Sequence, residues 1–227
     1  LVWESPEGIK VKPFYHNDEL ETKFQSITPK NAFAIVQNIF VHDVKLSNQR
    51  ALNTLNRGAE SIRFTIENES ISIEELMQNL PTENATYSFN LPFLSVEYAT
   101  KIQDYAVKNK VNCTILLDPI GQLTKDGNWF ESLDKDFEKL NTIVKDSTTL
   151  QGVVSINASI YQNAGATMVQ QLAYTLAHAN EYFNRLTSIP QSITIEVSVG
   201  TNYFFEIAKI RALRTLFAIL AKEYDHN

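Results

Sequence analysis

Short apolar runs alternate with longer segments of helical periodicity along most of this chain. A buried apolar run that feeds an amphipathic helix is half of a β-α-β unit. Strict alternation of this kind predicts an α/β protein with a parallel sheet and right-handed crossovers. The predicted strands lie at 34–41, 61–66, 86–91, 111–117, 150–156 and 192–199.

Helical periodicity and capping signals place a helix after each run. Ser72 with Glu75 forms a capping box, Ser95 is a second N-cap, and Gly58 ends the first helix as a C′ glycine. The predicted helices lie at 46–57, 72–79, 95–109, 128–145, 163–186 and 202–224.

The last two helices carry clear apolar patterns, and each pattern predicts the face that packs inward. In the helix at 163–186 these residues are Val169, Leu172, Ala173, Leu176, Ala177 and Phe183. In the helix at 202–224 they are Phe205, Ala208, Ala212, Leu216 and Ile219.

No G-x-G-x-x-G follows any predicted strand, which removes the main support for a dinucleotide-binding doubly wound sheet. A (β/α) barrel of the TIM type is the better interpretation. A full barrel has eight units and this chain supplies about six, so we expect an incomplete barrel. Residues 1–30 are predicted to form an extended N-terminal arm, and 31–227 a barrel domain truncated at its C-terminus.

An open sheet of six units exposes its outer strands, here 35–41 and 192–198, and unpaired edges invite association. We therefore expect the chain to self-associate or to cover an edge with its arm.

Bulk properties exclude several classes of function. The net charge is −6 and no basic stripe occurs, so nucleic-acid binding has no electrostatic support. No apolar stretch is long enough to span a membrane. The single cysteine, Cys113, cannot form an intrachain disulfide and is most simply a small buried hydrophobe. With no secretory signal, we expect a cytoplasmic protein.

Polar residues that follow parallel strands are candidates for chemistry, because the C-terminal ends of such strands share one edge. His42 and Asp43 form the one acid–base pair among them, although Asp43 also suits a helix start. Asp118 before Pro119 is more typical of a turn than of a general base. His178 is expected to be a partly exposed packing residue. Further candidates are Glu67, Asn90, Asn157, Ser159, Gln162, Ser198 and Thr201. No metal-binding spacing occurs, and we predict no bound metal.

Three stretches resemble the methylmalonyl-CoA mutase family in its acyl-CoA-binding barrel domain. Two are YQNAGATMVQQLAYTLAHANEYFNRL (161–186) and VSVGTNYFFEIAKIRALRTLFAILAKEY (197–224). The third, SPEGIKVKPFY (5–15), is similar to the family's N-terminal "P-E-G-I-x-V-K-P-x-Y" run. The resemblance implies a barrel fold, an acyl-CoA ligand and adenosylcobalamin in the family's catalytic chain.

The mismatches are as informative as the matches. Ile160 stands where the resemblance places a histidine that contacts the substrate carbonyl, and Asn38 stands where it places a tyrosine pressed against cofactor and substrate. Glu67 begins a shorter run in place of the family's "D-L-P-T-H-R-G-Y" loop, and the cobalamin-binding "D-x-H-x-x-G" does not occur.

These departures favour a small, non-catalytic subunit that binds no cofactor and pairs with a larger catalytic mutase chain. Asn38, Asn157, Ser159 and Gln162 are then weak candidates for acyl-CoA binding, and His42, Asp43 and Asp118 for catalysis. One alternative is a divergent catalytic acyl-CoA mutase chain. Another is an unrelated small-molecule barrel enzyme that uses His42 and Asp43.

Overall fold

A computed structural model describes residues 2–19, 33–83, 85–188, 190 and 192–225. The chain divides into two compact units. We call Ala32–Asn157 with Tyr182–Glu196 the sheet unit, and Leu1–Asn31 with Ala158–Glu181 and Val197–Asn227 the helical unit.

The described residues contain two short strands near the N-terminus and six longer ones. They are β1 Trp3–Glu4, β2 Lys10–Val11, β3 Val36–Phe40, β4 Ser61–Thr65, β5 Thr86–Asn90, β6 Asn112–Leu116, β7 Val154–Asn157 and β8 Ile193–Glu196. Strands β3 to β8 coincide with the six predicted runs, with β7 extending one residue beyond its run, which confirms the parallel-strand prediction.

Eight α-helices accompany these strands in the described part of the chain. They are α1 Val44–Asn56, α2 Ile73–Leu76, α3 Val96–Asn109, α4 Pro119–Asp126, α5 Leu133–Asp146, α6 Ser159–Asn163, α7 Met168–Arg185 and α8 Tyr203–Lys222. Among them, no helix combines the length and the apolar character that a membrane crossing needs.

The N-caps predicted at Ser72 and Ser95 are confirmed. The hydroxyls of Ser72 and Ser95 accept hydrogen bonds from the backbone N–H groups of Glu75 and Tyr98, both at 3.2 Å. Two short helices, α4 and α6, were not predicted, and the turn expected at Asp118 is instead the start of α4. Pro119 takes the first helical position, where a missing N–H costs nothing.

The sheet unit is built on parallel strands. Strands β3, β4, β5 and β6 pair in that order, and β7 pairs with β8. A parallel bridge between Leu117 and Val154, with a hydrogen bond from Ser155 N to Leu117 O (2.9 Å), joins β6 to β7. Among the described residues, β3 pairs only with β4 and β8 only with β7. The predicted association through these edges stays a prediction.

The described part of the arm is not one extended segment. Strands β1 and β2 form an antiparallel hairpin across a turn at Gly8, and a short 3-10 helix follows at Asn17–Glu19. The carboxylate of Glu7 accepts hydrogen bonds from the first N–H groups of α7, at Met168 (2.9 Å) and Val169 (3.0 Å). Residues 20–30, also predicted as arm, lie outside the described residues.

Helices α7 and α8 bury only Phe183 of the residues that periodicity predicted to face inward. In α8 the apolar residues Leu216 and Ile219 are 40% and 57% exposed, and in α7 Val169 is 52% exposed. The predicted stripes are therefore wrong by about one position. The buried stripes contain polar and charged side chains, namely Gln171, Thr175 and His178 in α7 and Glu206 and Lys209 in α8.

Candidate functional site

One face of the parallel sheet is polar. Asn38, Arg63, Ser88 and Thr114 stand side by side in register across β3 to β6. Because side chains alternate across a strand, the neighbouring row faces the other way. That row, Ile39, Phe64, Phe89 and Ile115, is fully buried. The sheet thus has one apolar face in the core and an opposite face whose central row carries hydroxyl, amide and guanidinium groups, which we call the polar face.

Arg63 on β4 and Glu196 on β8 form an ion pair. Four inter-strand spacings separate β4 from β8, which is roughly 19 Å in a flat sheet. Side chains that stand perpendicular to a flat sheet would not meet over that distance. The sheet formed by β3 to β8 must therefore curve across its strands, with Arg63 and Glu196 on the concave side. Burial lowers the pKa of the Arg63 guanidinium below its usual value.

Neither partner of this pair was predicted from the sequence as a site residue. A signal exists, however, because each is a charged residue inside an apolar run, SIRFTI and SITIEV. Charges in parallel strands are costly unless they are paired, so two such charges of opposite sign in different strands indicate a contact across the sheet.

His42 and Asp43 lie where β3 ends and α1 begins. The Asp43 carboxylate accepts a hydrogen bond from Leu46 N at 2.8 Å and so serves as the N-cap of α1. This is the structural role that the sequence had offered as the alternative to catalysis. Both residues line an open cavity of about 580 Å³, together with Phe40 and Arg50.

Asp118, the third catalytic candidate, is engaged on both carboxylate oxygens. Its Oδ1 accepts from Gly121 N (2.8 Å) and from the Tyr182 hydroxyl (2.6 Å), and its Oδ2 accepts from Asn157 N (2.7 Å). The carboxylate therefore joins α4, α7 and the end of β7. A base in this position would first have to release these three donors, so the geometry supports a structural role for Asp118.

The remaining candidates lie in different elements. Asn38 is exposed in the middle of β3, and Asn157 is the last residue of β7. Ser159, Ile160 and Gln162 lie in α6, which the sequence had predicted as a loop. Gln162 Oε1 accepts a hydrogen bond from Lys209 Nζ at 3.1 Å.

His178 in α7 is only 4% exposed, which corrects the expectation of a partly exposed residue. Its Nδ1 lies 3.0 Å from the hydroxyl of Tyr161 in α6. The ring is therefore held inside the helical unit by a specific hydrogen bond.

A curved parallel sheet with helices after its strands, an apolar core on one face and a polar concave face defines an α/β protein of the barrel-like or open-sheet class. Comparison with known proteins narrows this class. Residues 65–227 match the family model for methylmalonyl-CoA mutase, which is most of the chain. The chain belongs to the methylmalonyl-CoA mutase family.

Similar proteins include both kinds of mutase chain. The chain is 27% identical to the methylmalonyl-CoA mutase small subunit of Porphyromonas gingivalis, over 99% of this chain and 41% of that protein. It is 24% identical to the large subunit of Streptomyces virginiae, over 99% of this chain and 38% of that protein. It is also 24% identical to the mitochondrial methylmalonyl-CoA mutase of Homo sapiens, over 98% of this chain and 37% of that protein. The chain thus spans about two fifths of the length of these relatives.

The histidines that the structure describes do not fit the cobalt-binding role that the family resemblance implies. His16 lies 2.9 Å from Asp18, His42 lines the surface cavity, and His178 is bonded to Tyr161. None of them stands in a "D-x-H-x-x-G" run. Among the residues that the structure describes, no group of three His, Cys, Asp or Glu side chains could hold a metal ion.

Proposed function

We propose that this chain is the barrel-forming part of a methylmalonyl-CoA mutase small subunit, and that it supports a larger catalytic chain without catalysing the reaction itself. The complex would interconvert methylmalonyl-CoA and succinyl-CoA with adenosylcobalamin bound by the catalytic chain. This chain would supply structure and interface in the cytoplasm.

The observation that carries the proposal is Ile160, in α6 directly after β7. The resemblance places a histidine at this position in catalytic chains. An aliphatic side chain can neither donate a hydrogen bond to a thioester carbonyl nor carry a proton. Loss of one such donor costs on the order of a hundredfold in rate or more. Asn38, which replaces the family's tyrosine, also supports a non-catalytic role.

The Arg63–Glu196 pair supports the barrel part of the proposal. Strands β3 to β8 account for six β/α units, and the pair requires the sheet to curve toward its polar face. A parallel sheet that curves toward one face has the curvature that a closed barrel needs, and the interior of such a barrel is filled by side chains. In the proposed barrel, the Arg63–Glu196 ion pair would occupy part of that interior.

Two measurements test the proposal. The purified chain, given adenosylcobalamin and methylmalonyl-CoA, should form no succinyl-CoA above the no-enzyme control, as followed by mass spectrometry. Co-expressed with the larger mutase chain of its own organism, it should co-elute as a one-to-one complex in size-exclusion chromatography with light scattering.

Succinyl-CoA formed by this chain alone would refute the non-catalytic role and favour the divergent mutase. Failure to bind the larger chain would refute the subunit role. Binding of cobalamin without turnover would shift support toward the divergent mutase as well. A useful control is the larger chain with an unrelated tagged protein, which should elute without a partner.

A further inference from the structure

Lys209 of α8 carries a buried ammonium group that four oxygen atoms surround. The residue is 4% exposed. Its Nζ lies 2.6 Å from Glu206 Oε2, 2.8 Å from Ser198 O, 3.0 Å from Gln171 Oε1 and 3.1 Å from Gln162 Oε1. We call these four oxygens with the ammonium the lysine cage. All of its members belong to the helical unit.

The cage joins segments that are far apart in the sequence. Gln162 lies in α6, Gln171 in α7 and Ser198 in the segment before α8. A second layer of bonds extends it, because Gln171 Nε2 donates to Ala166 O (2.8 Å) and Gly200 N donates to Glu206 Oε1 (2.9 Å). The backbone of 162–166 and of 198–200 is thus held by one cation and its ligands.

Gly200 allows this close approach. A Cβ atom at this position would lie 3.2 Å from Glu206 Oε1 and 3.6 Å from Gln162 Nε2. The first distance is tighter than ordinary van der Waals contact. A side chain at residue 200 would therefore require the Glu206 carboxylate to shift by a few tenths of an ångström.

The charge of the cage also fixes the orientation of Gln162. An ammonium group has three donors and no acceptor, so only the oxygen of a carboxamide can face it. Gln162 must therefore present its Nε2 on the opposite side, as a hydrogen-bond donor. A buried cation is tolerated only when such oxygens compensate the loss of water, which makes each ligand matter.

We propose that Lys209 is a positioning residue. Its ammonium acts as an internal cation that holds the segments 162–166 and 198–200 against α7 and α8 and orients the Gln162 carboxamide. The structure assigns this role to the charge, not to the length of the side chain. An alkylammonium ion should then replace the group if the side chain is shortened. This inference does not depend on the proposed function.

The test uses the 227-residue chain and hydrogen–deuterium exchange read by mass spectrometry. In Lys209→Ala, amide protection in peptides covering 158–166 and 197–201 should fall by about tenfold or more, because local opening loses its main restraint. Methylammonium chloride should restore much of this protection, whereas sodium chloride at the same ionic strength should not. Lys209→Met keeps the length without the charge and should remain as open as Lys209→Ala. Lys222→Met removes an exposed cation from the same helix and should behave like the wild type.

Wild-type protection in Lys209→Met would overturn the proposal, since packing alone would then suffice. So would equal rescue by sodium and methylammonium. If Lys209→Ala does not fold, Gln162→Leu provides the second variant, because it removes one cage oxygen and leaves the ion pair intact. It should lower amide protection in peptides covering 158–166, because the link from Gln162 to the ammonium is lost, while 197–201 keeps its bonds to Lys209 and Glu206 and its protection. Unchanged exchange at 158–166 in this variant would also contradict the proposal.

Discussion

The hydroxyl of Tyr182 in α7 donates a hydrogen bond to Oδ1 of Asp118, at the start of α4, over 2.6 Å. The same carboxylate caps α4 through Gly121 N and accepts Asn157 N at the end of β7. Hydrogen bonds to an ionised carboxylate are stronger than neutral ones. These three hydrogen bonds give a polar residue directly after a buried strand a structural role.

Substitution of Asp118 by Asn should therefore destabilise the chain by about 2 to 4 kcal/mol, because an amide nitrogen would face at least one donor and leave it unpaired. Urea denaturation measures the free energy of unfolding directly. Asp43→Asn is the matched control, since Asn is as good an N-cap as Asp and Asp43 caps only α1. An equally small loss in both variants would contradict the structural role of Asp118.

Gly121→Ala should destabilise the chain, although the same change usually stabilises a helix by about 0.5 to 1 kcal/mol. A Cβ at this position would lie 2.2 Å from Asp118 Oδ2 and 2.5 Å from its Cγ, so the capping carboxylate would be displaced. We expect a loss of about 1 to 2 kcal/mol, the value of a lost cap. In an Asp118→Ala background the sign should reverse, because the three atoms nearest to the new methyl group, the carboxylate atoms of Asp118, are then absent. Thermal unfolding of the wild type, the two single variants and the double variant gives the change in stability in each background. Stabilisation by Gly121→Ala in the wild-type background would contradict the prediction.

The sequence predicted the parallel strands well because each is a short apolar run bounded by polar residues, and burial on the apolar face enforces that pattern. The prediction of which face is buried was wrong for most of α7 and α8, and the reason is physical. Periodicity assumes that the apolar stripe faces inward, whereas Lys209, Glu206 and Gln171 form a buried polar network. Such a network is stable only through partners distant in the sequence, and no local pattern reveals those partners.

The candidate site was predicted in outline only. Parallel topology predicted candidates after the strand ends, and these candidates stay a prediction. The position of Asp43 before a helix indicated its role at the start of α1, where its carboxylate caps the helix. The ion pair between Arg63 and Glu196 depends on the curvature of the sheet across four strand spacings. Curvature arises from tertiary packing, so a sequence without a known fold does not specify it.

Arg63 and Glu196 should be energetically coupled. Loss of one member leaves a half-buried charge without its partner, so Arg63→Met and Glu196→Gln should each destabilise the chain by about 1 to 3 kcal/mol. The double variant should lose clearly less than the sum of the two, because the second change removes the charge that the first left unpaired. A double-mutant cycle by urea denaturation gives the coupling energy. Strictly additive losses would show that the two side chains do not interact.

Alkaline pH should destabilise the sheet unit through three buried acids. Burial raises the pKa of the Cys113 thiol to about 12. Burial also raises the phenol pKa values of Tyr87 and Tyr98, whose hydroxyls donate to Pro81 O (2.7 Å) and Ile71 O (2.8 Å). In the unfolded chain these groups ionise near their ordinary values, about 8.5 for cysteine and about 10 for tyrosine. Ionisation therefore favours unfolding as the pH rises above those values.

The stability that these groups contribute is fully present below about pH 8 and is lost progressively toward pH 12, at up to about 1.4 kcal/mol per pH unit for each group. Cys113→Ala should remove the first part of this loss. Between pH 8.5 and 10, the free energy of unfolding of the Cys113→Ala variant should fall less steeply than that of the wild type. This holds even if the substitution lowers stability at every pH by leaving a small cavity. Urea denaturation at pH 7, 8.5, 9.5 and 10 gives both slopes. Identical slopes for the two proteins would mean that the thiol is not protected from ionisation in the folded state, in contradiction to its burial against the core.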